Sequence, residues 1–148
     1  MTEHNKSLSA DEQTLRAVER ICQKWDDALG RKDVDASMQL YTMDTTLESP
    51  LVRHLRRGDT GIVRGRDDLR RFVETIFDRT PDLRRRHRTA FFSDGKTLIW
   101  EYPRVTPEGE QMDLVEVMDV KDGLIRHHRV YCGWRSVKVL ENDEYRRG

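Results

Sequence analysis

QMDLVEVMDVKDGLIRHHRVYCGW, residues 111–134, is the stretch on which the reading of this chain turns. Val115, Val117, Val120, Ile125, Val130 and Tyr131 supply the β-branched and aromatic residues of two strands, and Asp122-Gly123 between them is a strong hairpin signal. Strand side chains alternate between faces, so Leu114, Glu116, Met118 and Val120 share one face. One carboxylate in an otherwise apolar row is the anomaly. Its partner depends on register. A two-residue turn at Asp122-Gly123 sets Glu116 against Arg129. A three-residue loop Lys121-Asp122-Gly123, with Gly123 left-handed as a bulge, sets it against His128, with Met118 facing Arg126 and Leu114 facing Val130. The Lys-Asp-Gly sequence favours the second.

Upstream of the hairpin the period is helical. Residues 1–9 are polar and read as disordered, and residues 141–148 as a C-terminal tail. Ser9 with Glu12 forms a capping-box pattern that opens a helix from Ala10 to Leu29, with Leu15, Val18, Ile21, Cys22, Trp25 and Leu29 as its apolar stripe and Gly30 as its stop. Asp33 caps a short helix burying Val34, Met38, Leu40 and Tyr41. A short strand, Thr45–Glu48, ends at Ser49-Pro50, and a basic, glycine-containing loop, Arg53–Arg66, reads as either a mobile segment or a lid. Asp67 caps a third helix with Leu69, Phe72, Val73, Ile76 and Phe77 inward, closed by Thr80-Pro81. After it the period switches to two, giving strands at Leu83–Ser93, Thr97–Val105, Met112–Val120 and Leu124–Leu140. Three helices followed by an antiparallel meander make an α+β domain over residues 10–140: a cone-shaped roll, with the helices over the concave face of a curved antiparallel sheet and a pocket at its open end.

Composition narrows the partners. At 148 residues the chain is the size of one domain, and 27 basic against 27 acidic residues leave no net charge to attract nucleic acid. No apolar run is long enough for a membrane span and no secretory leader is evident. Cys22 and Cys132 fit neither a disulfide framework nor a zinc spacing, so a reducing, cytoplasmic setting is expected. His87, His127 and His128 lack partners at metal-ligand spacing, and no glycine-rich phosphate loop or nucleophile elbow occurs; neither a metal nor a cofactor is expected.

The segment WDDALGRKDVDASMQLYTMDTTLESP, Trp25–Pro50, resembles the opening of the nuclear-transport-factor-2-like superfamily, closest to its SnoaL-like branch. The Gly61…Gly65-Arg66-Asp67-Asp68-Leu69 helix start and the closing VEVMDVKDGLIRHHRVY fit the same pattern. The resemblance implies the cone-shaped roll and a small-molecule cavity. It leaves the reaction open, because that cone hosts isomerases, cyclases, hydrolases and non-catalytic modules. Compared with ketosteroid isomerases of the superfamily, Trp25 replaces a tyrosine donor, Ser49 replaces the aspartate base, and Glu116 stands near the second oxyanion donor. A serine hydroxyl cannot abstract a carbon-bound proton as a carboxylate does, so ketosteroid isomerase activity is not expected. The carboxylate–arginine–carboxylate array of the epoxide hydrolases is broken too: Glu101 overlies one carboxylate, but Ile99 replaces the arginine and Val130 the second acid.

The resemblance also places pocket residues at His128 and Val130, which again favours the register joining Glu116 to His128. That pair is the candidate catalytic couple, one residue acting as acid and the other as base; the competing reading is a plain cross-strand contact. Trp25, Tyr41, Ser49, Trp100, Glu101 and Val130 are candidate substrate-binding residues. For Glu101 a solvent-facing place, and for Ser49 a turn cap, are the simpler alternatives. The run Leu83-Arg84-Arg85-Arg86-His87-Arg88 reads as a solvated edge or a sheet-edge guard rather than a phosphate site, and for Arg53-His54 and Arg56-Arg57 in the loop a cover over an anionic substrate is the less favoured reading. Two functions follow: a cofactor-free isomerase, cyclase or hydrolase using acid/base chemistry on an apolar small molecule, or a non-catalytic ligand-binding or interaction module. Val115, Val117 and Tyr131 on the opposite face predict a homodimer through the sheet.

Overall fold

The computed structural model describes residues 9–79 and 86–144. The first helix, α1 (Ala10–Gly30), opens on the predicted capping box: Ser9 N–H donates to Glu12 Oε2 at 2.9 Å and Glu12 N–H to Ser9 Oγ at 3.2 Å. Val18, Ile21, Cys22, Trp25 and Ala28 face inward, whereas Leu15 is exposed. Gly30 is the last helical residue rather than the stop, and Lys32 takes the left-handed conformation that turns the chain. Asp33 then caps α2 (Val34–Met38) through the Ala36 N–H.

Strand β1 runs Tyr41–Glu48, beginning earlier than predicted because Leu40 and Tyr41 already pair with Ile125. The basic stretch predicted as a loop holds two elements, α3 (Pro50–Arg56) and β2 (Ile62–Arg64). Ser49 accepts from the Leu51 N–H and Pro50 occupies the first turn, a favourable helix start that the surrounding arginines masked. Gly65, at φ +83°, leads into α4 (Arg66–Arg79), so Asp67 lies within the first turn instead of capping it. The predicted stop at Thr80-Pro81 and the start of the predicted strand at Leu83 lie outside the described residues. Among the described residues that strand enters the sheet only as β3 (Phe92–Ser93). The remaining elements are β4 (Thr97–Tyr102), β5 (Val105–Thr106), β6 (Gly109–Glu110), β7 (Leu114–Lys121), β8 (Leu124–Cys132) and α5 (Trp134–Glu141).

The last strand therefore ends at Cys132, not Leu140. At Gly133 the chain meets Asp113, whose side chain accepts from the Ser136 N–H at 2.7 Å and whose carbonyl accepts from Ser136 Oγ at 2.8 Å. These bonds satisfy the first turn of α5, which buries Ser136 and Val139 at helical spacing.

The main sheet has six strands in the order β2-β1-β8-β7-β4-β3. It is an α+β arrangement with a curved sheet, as predicted, but mixed: β1 inserts beside β8 in parallel while its other pairings are antiparallel. The covered face carries Leu98, Met118, His128, Leu47 and Val63 in one row and Trp100, Glu116 and Val130 in the next. Phe72 and Leu69 of α4 and Trp25 of α1 close over these rows, each buried. Burying a side chain of this size contributes about 1.5–3 kcal/mol, so the rows and their helical cover dominate the stability. No helix among the described residues is long and apolar enough to cross a membrane.

Candidate functional site

The hairpin starts in the predicted two-residue register but leaves it before Glu116, so neither predicted partner lies directly opposite that residue. Lys121 pairs with Leu124 around a two-residue turn in which Asp122 (φ 52°) and Gly123 (φ 77°) are both left-handed, the form preferred between twisted strands. Val120 pairs with Ile125, but the next pair is Asp119 with His127. Arg126 is thus an extra residue in β8, a bulge whose carbonyl accepts from Thr45 Oγ1 at 3.1 Å. Beyond it Met118 faces His128 and Glu116 faces Val130. The bulge exchanges the faces of β8: Ile125 points to the core before it, and His128, not His127, points to the core after it.

Glu116 and His128 are nevertheless joined. They are diagonal neighbours on the covered face, and His128 Nε2 is hydrogen-bonded to Glu116 Oε2. Both are buried, at 6% and 3% exposure. The other ring nitrogen, Nδ1, lies 3.0 Å from Tyr41 Oη. One proton arrangement that satisfies all three has Tyr41 O–H donating to Nδ1 and Nε2–H donating to Glu116 Oε2. Burial first, then the negative charge of Glu116, pushes the Tyr41 hydroxyl well above the ordinary tyrosine pKa. Tyr102 is raised by the same two causes, and burial with Asp113 and Glu116 raises the Cys132 thiol to about 11. In that arrangement the chain Glu116–His128–Tyr41 holds two proton donors and one acceptor in line.

It borders a cavity of about 470 Å³. Glu116, His128 and Tyr41 are among its polar lining residues, with Asp26, Lys32 and Arg86, and Leu47, Phe72, Val73, Ile76, Leu114 and Met112 are among its apolar walls. Glu116 Oε1 has no hydrogen-bond partner among the described residues. Both nitrogens of His128 are engaged, so Oε1 is the acceptor left for a ligand.

The other predicted residues divide. Trp25 lines the cavity with its ring edge-on to His128, centroids 5.2 Å apart, and its indole N–H is buried without a partner among the described residues. Val130 lines it opposite Glu116. Ser49 lines it too, but its hydroxyl caps α3. Two predictions are corrected. Glu101 is exposed on the outer face, because alternation along β4 sends Leu98, Trp100 and Tyr102 inward. Trp100 is core rather than lining: it packs edge-on to Trp25 and carries the Arg88 guanidinium 4.8 Å from its ring centre. Tyr102 and Cys132 were missed as lining residues, although both lie on the same face as Glu116.

The basic runs also resolve. Arg88 is a structural tie, donating to Asp26 at 2.7 and 2.9 Å and to Cys22 Sγ at 2.7 Å on α1, not a solvated edge. Arg84 and Arg85 lie outside the described residues. Arg56 grips Asp68 with two nitrogens, at 2.8 and 3.0 Å, fastening α3 to α4.

The fold has many counterparts. A SnoaL-like protein of unknown function from Burkholderia thailandensis superposes with a TM-score of 0.66 at 17% identity, covering 86% of this chain and 99% of that one. A Xanthomonas campestris protein described provisionally as a polyketide cyclase gives 0.59 at 20% identity, covering 84% and 96%. A Kribbella flavida protein described provisionally as a ketosteroid isomerase gives 0.55 at 20%, covering 80% and 78%. At these identities the likeness is one of fold. No curated protein matches the chain in sequence. The SnoaL-like domain family, however, matches residues 22–128, from the cysteine beneath Arg88 to the histidine of the buried chain. With the mixed sheet and the cavity falling largely in or against that span, the chain belongs to the SnoaL-like domain family.

Proposed function

We propose that the cavity takes a small apolar molecule and that Glu116 exchanges a proton with it, in a cofactor-free reaction of the isomerase, cyclase or hydrolase kind. The observation that carries this is the buried chain Glu116–His128–Tyr41 ending in an unpartnered carboxylate oxygen at the wall of an apolar cavity. Glu116 Oε1 acts as the base. His128 Nε2–H holds the other oxygen and stabilises the carboxylate before transfer; Tyr41 fixes the ring through Nδ1. Apolar walls exclude water, which strengthens each of these interactions. Enolisable cyclic ketones suit the test because they report proton transfer without a defined product. Deuterium uptake next to the carbonyl, followed by NMR in deuterium oxide over a panel of such ketones, should fall by about a hundredfold or more in Glu116→Gln while binding persists. Equal uptake by the variant would remove Glu116 from the role.

Ligand binding without catalysis is the second reading, and one feature favours it. Ser49, in the place of the isomerase base, spends its oxygen on the Leu51 N–H. Ketones that bind without exchange in the unaltered protein would decide for this reading.

A homodimer through the outer sheet face belongs to the same proposal. Phe92, Ile99 and Val117 are neighbours in one row across three strands, and Phe92 and Tyr131 are 71% and 54% exposed. An apolar stripe of this kind on a sheet favours a partner.

A further inference from the structure

A second concavity is not used by the proton-transfer chain. It is a groove of about 990 Å³ bounded by α3, the 57–61 turn and the end of β8. Ser49 and Val130 belong to the walls of both the groove and the inner cavity, so the two spaces are neighbours across those residues. The groove's charged lining is uneven. Glu48 is held by His127, Arg129 by Asp119 and His54 by Asp143. Arg53 and Arg57 make no ion pair or hydrogen bond among the described residues, and Asp59 is the one lining carboxylate without such a partner. Both line the groove, and no carboxylate is drawn onto either of them. A guanidinium presents parallel N–H groups that match the two oxygens of a carboxylate. Two free arginines beside one free aspartate leave a balance suited to a monoanion, not a doubly charged phosphate.

We propose that this groove is the headgroup site of the cavity: Arg53 and Arg57 bind the carboxylate of an apolar acid whose body lies inside, past Ser49 and Val130. The inference rests on the cavity's taking an apolar molecule, and the ligands named next separate the two claims.

Naphthylacetic acid and naphthylethanol share the apolar body and differ in the anion. Their affinities are measured by calorimetry on the unaltered protein and on the double variant Arg53→Gln/Arg57→Gln. Both positions are exposed, and thermal melting verifies that the variant folds. The acid should bind about tenfold more tightly than the alcohol to the unaltered protein, an advantage that shrinks with added salt. In the variant the ratio should approach one, with the alcohol's affinity within about twofold of its starting value. Equal binding of acid and alcohol to the unaltered protein overturns the headgroup site and leaves the cavity intact. A preference for the acid that survives in the variant also overturns it, placing the anion elsewhere. Failure of both ligands to bind removes the cavity reading, and the headgroup site with it.

Discussion

Glu116 lies directly across the hairpin from Val130, yet its hydrogen bond goes to His128, two residues back along the same strand. The bulge at Arg126 makes this diagonal contact available by turning His128 inward and leaving His127 on the outer face. The two adjacent histidines therefore differ in what they hold. Removing His128 leaves a buried carboxylate without its donor and should cost about 3 kcal/mol in His128→Ala. His127 pairs with Glu48 at the half-exposed outer face, and His127→Ala should cost under about 1 kcal/mol. Urea denaturation of the two variants measures the difference; equal losses would contradict the placement.

Gly133 and Asp113 provide a second test. A Cβ on Gly133 would lie 2.0 Å from Asp113 Oδ2, and that carboxylate is held in place by its bonds to the first turn of α5. Gly133→Ala must push the cap aside, so it and Asp113→Ala should each lose about 1–2 kcal/mol, the usual cost of a lost helix cap. The double variant should lose little more than either single one, because both remove the same bonds. Thermal denaturation measures all three.

Acid should loosen the fold through two aspartates. Arg56, by hydrogen bond and charge, holds the Asp68 carboxyl below its usual range, and Arg129 does the same for Asp119. Each native pKa is lowered, so the unfolded chain binds more protons as pH falls past about 4. Their stabilisation is complete above the unfolded pKa and lost as pH drops through the folded one. Both groups are partly exposed, which limits each to under about 1 kcal/mol. Melting temperature should therefore decline from pH 5 to pH 3, and less steeply in Asp68→Asn/Asp119→Asn, which starts lower at neutral pH.

Sedimentation velocity tests the proposed dimer. Val117 sits mid-row between Ile99 and Arg129 on the outer face. Val117→Asp should shift a micromolar sample from dimer to monomer while melting stays within about 5 °C, since the position is not part of the core. A monomer in the unaltered protein would end the proposal.

Periodicity made much of this architecture legible. The capping box at Ser9, most of the α1 stripe, the Asp33 cap and the alternation of β7 each rest on neighbours within a few residues and appear where the sequence places them; Asp122-Gly123 also marks the turn, though as a two-residue turn and not the favoured three-residue loop. The α3 helix was hidden because its three basic residues outweighed Ser49-Pro50, although Leu51, Val52 and Leu55 pack inward. The α5 helix was hidden because Val137, Val139 and Leu140 also suit a strand; Asp113, distant in sequence, supplies the bonds that decide for helix.

The same division holds for the site. By itself the sequence determined that a carboxylate stands in the apolar row of β7 and that histidines follow across an Asp-Gly turn. Only the tertiary structure decided which histidine meets it. A strand has a period of two, so one inserted residue exchanges its faces, and the bulge at Arg126 is stabilised by pairing with β7 and by the bond from Thr45 on β1. Tyr41 reached His128 by the same route, through the parallel insertion of β1 that local pattern does not encode.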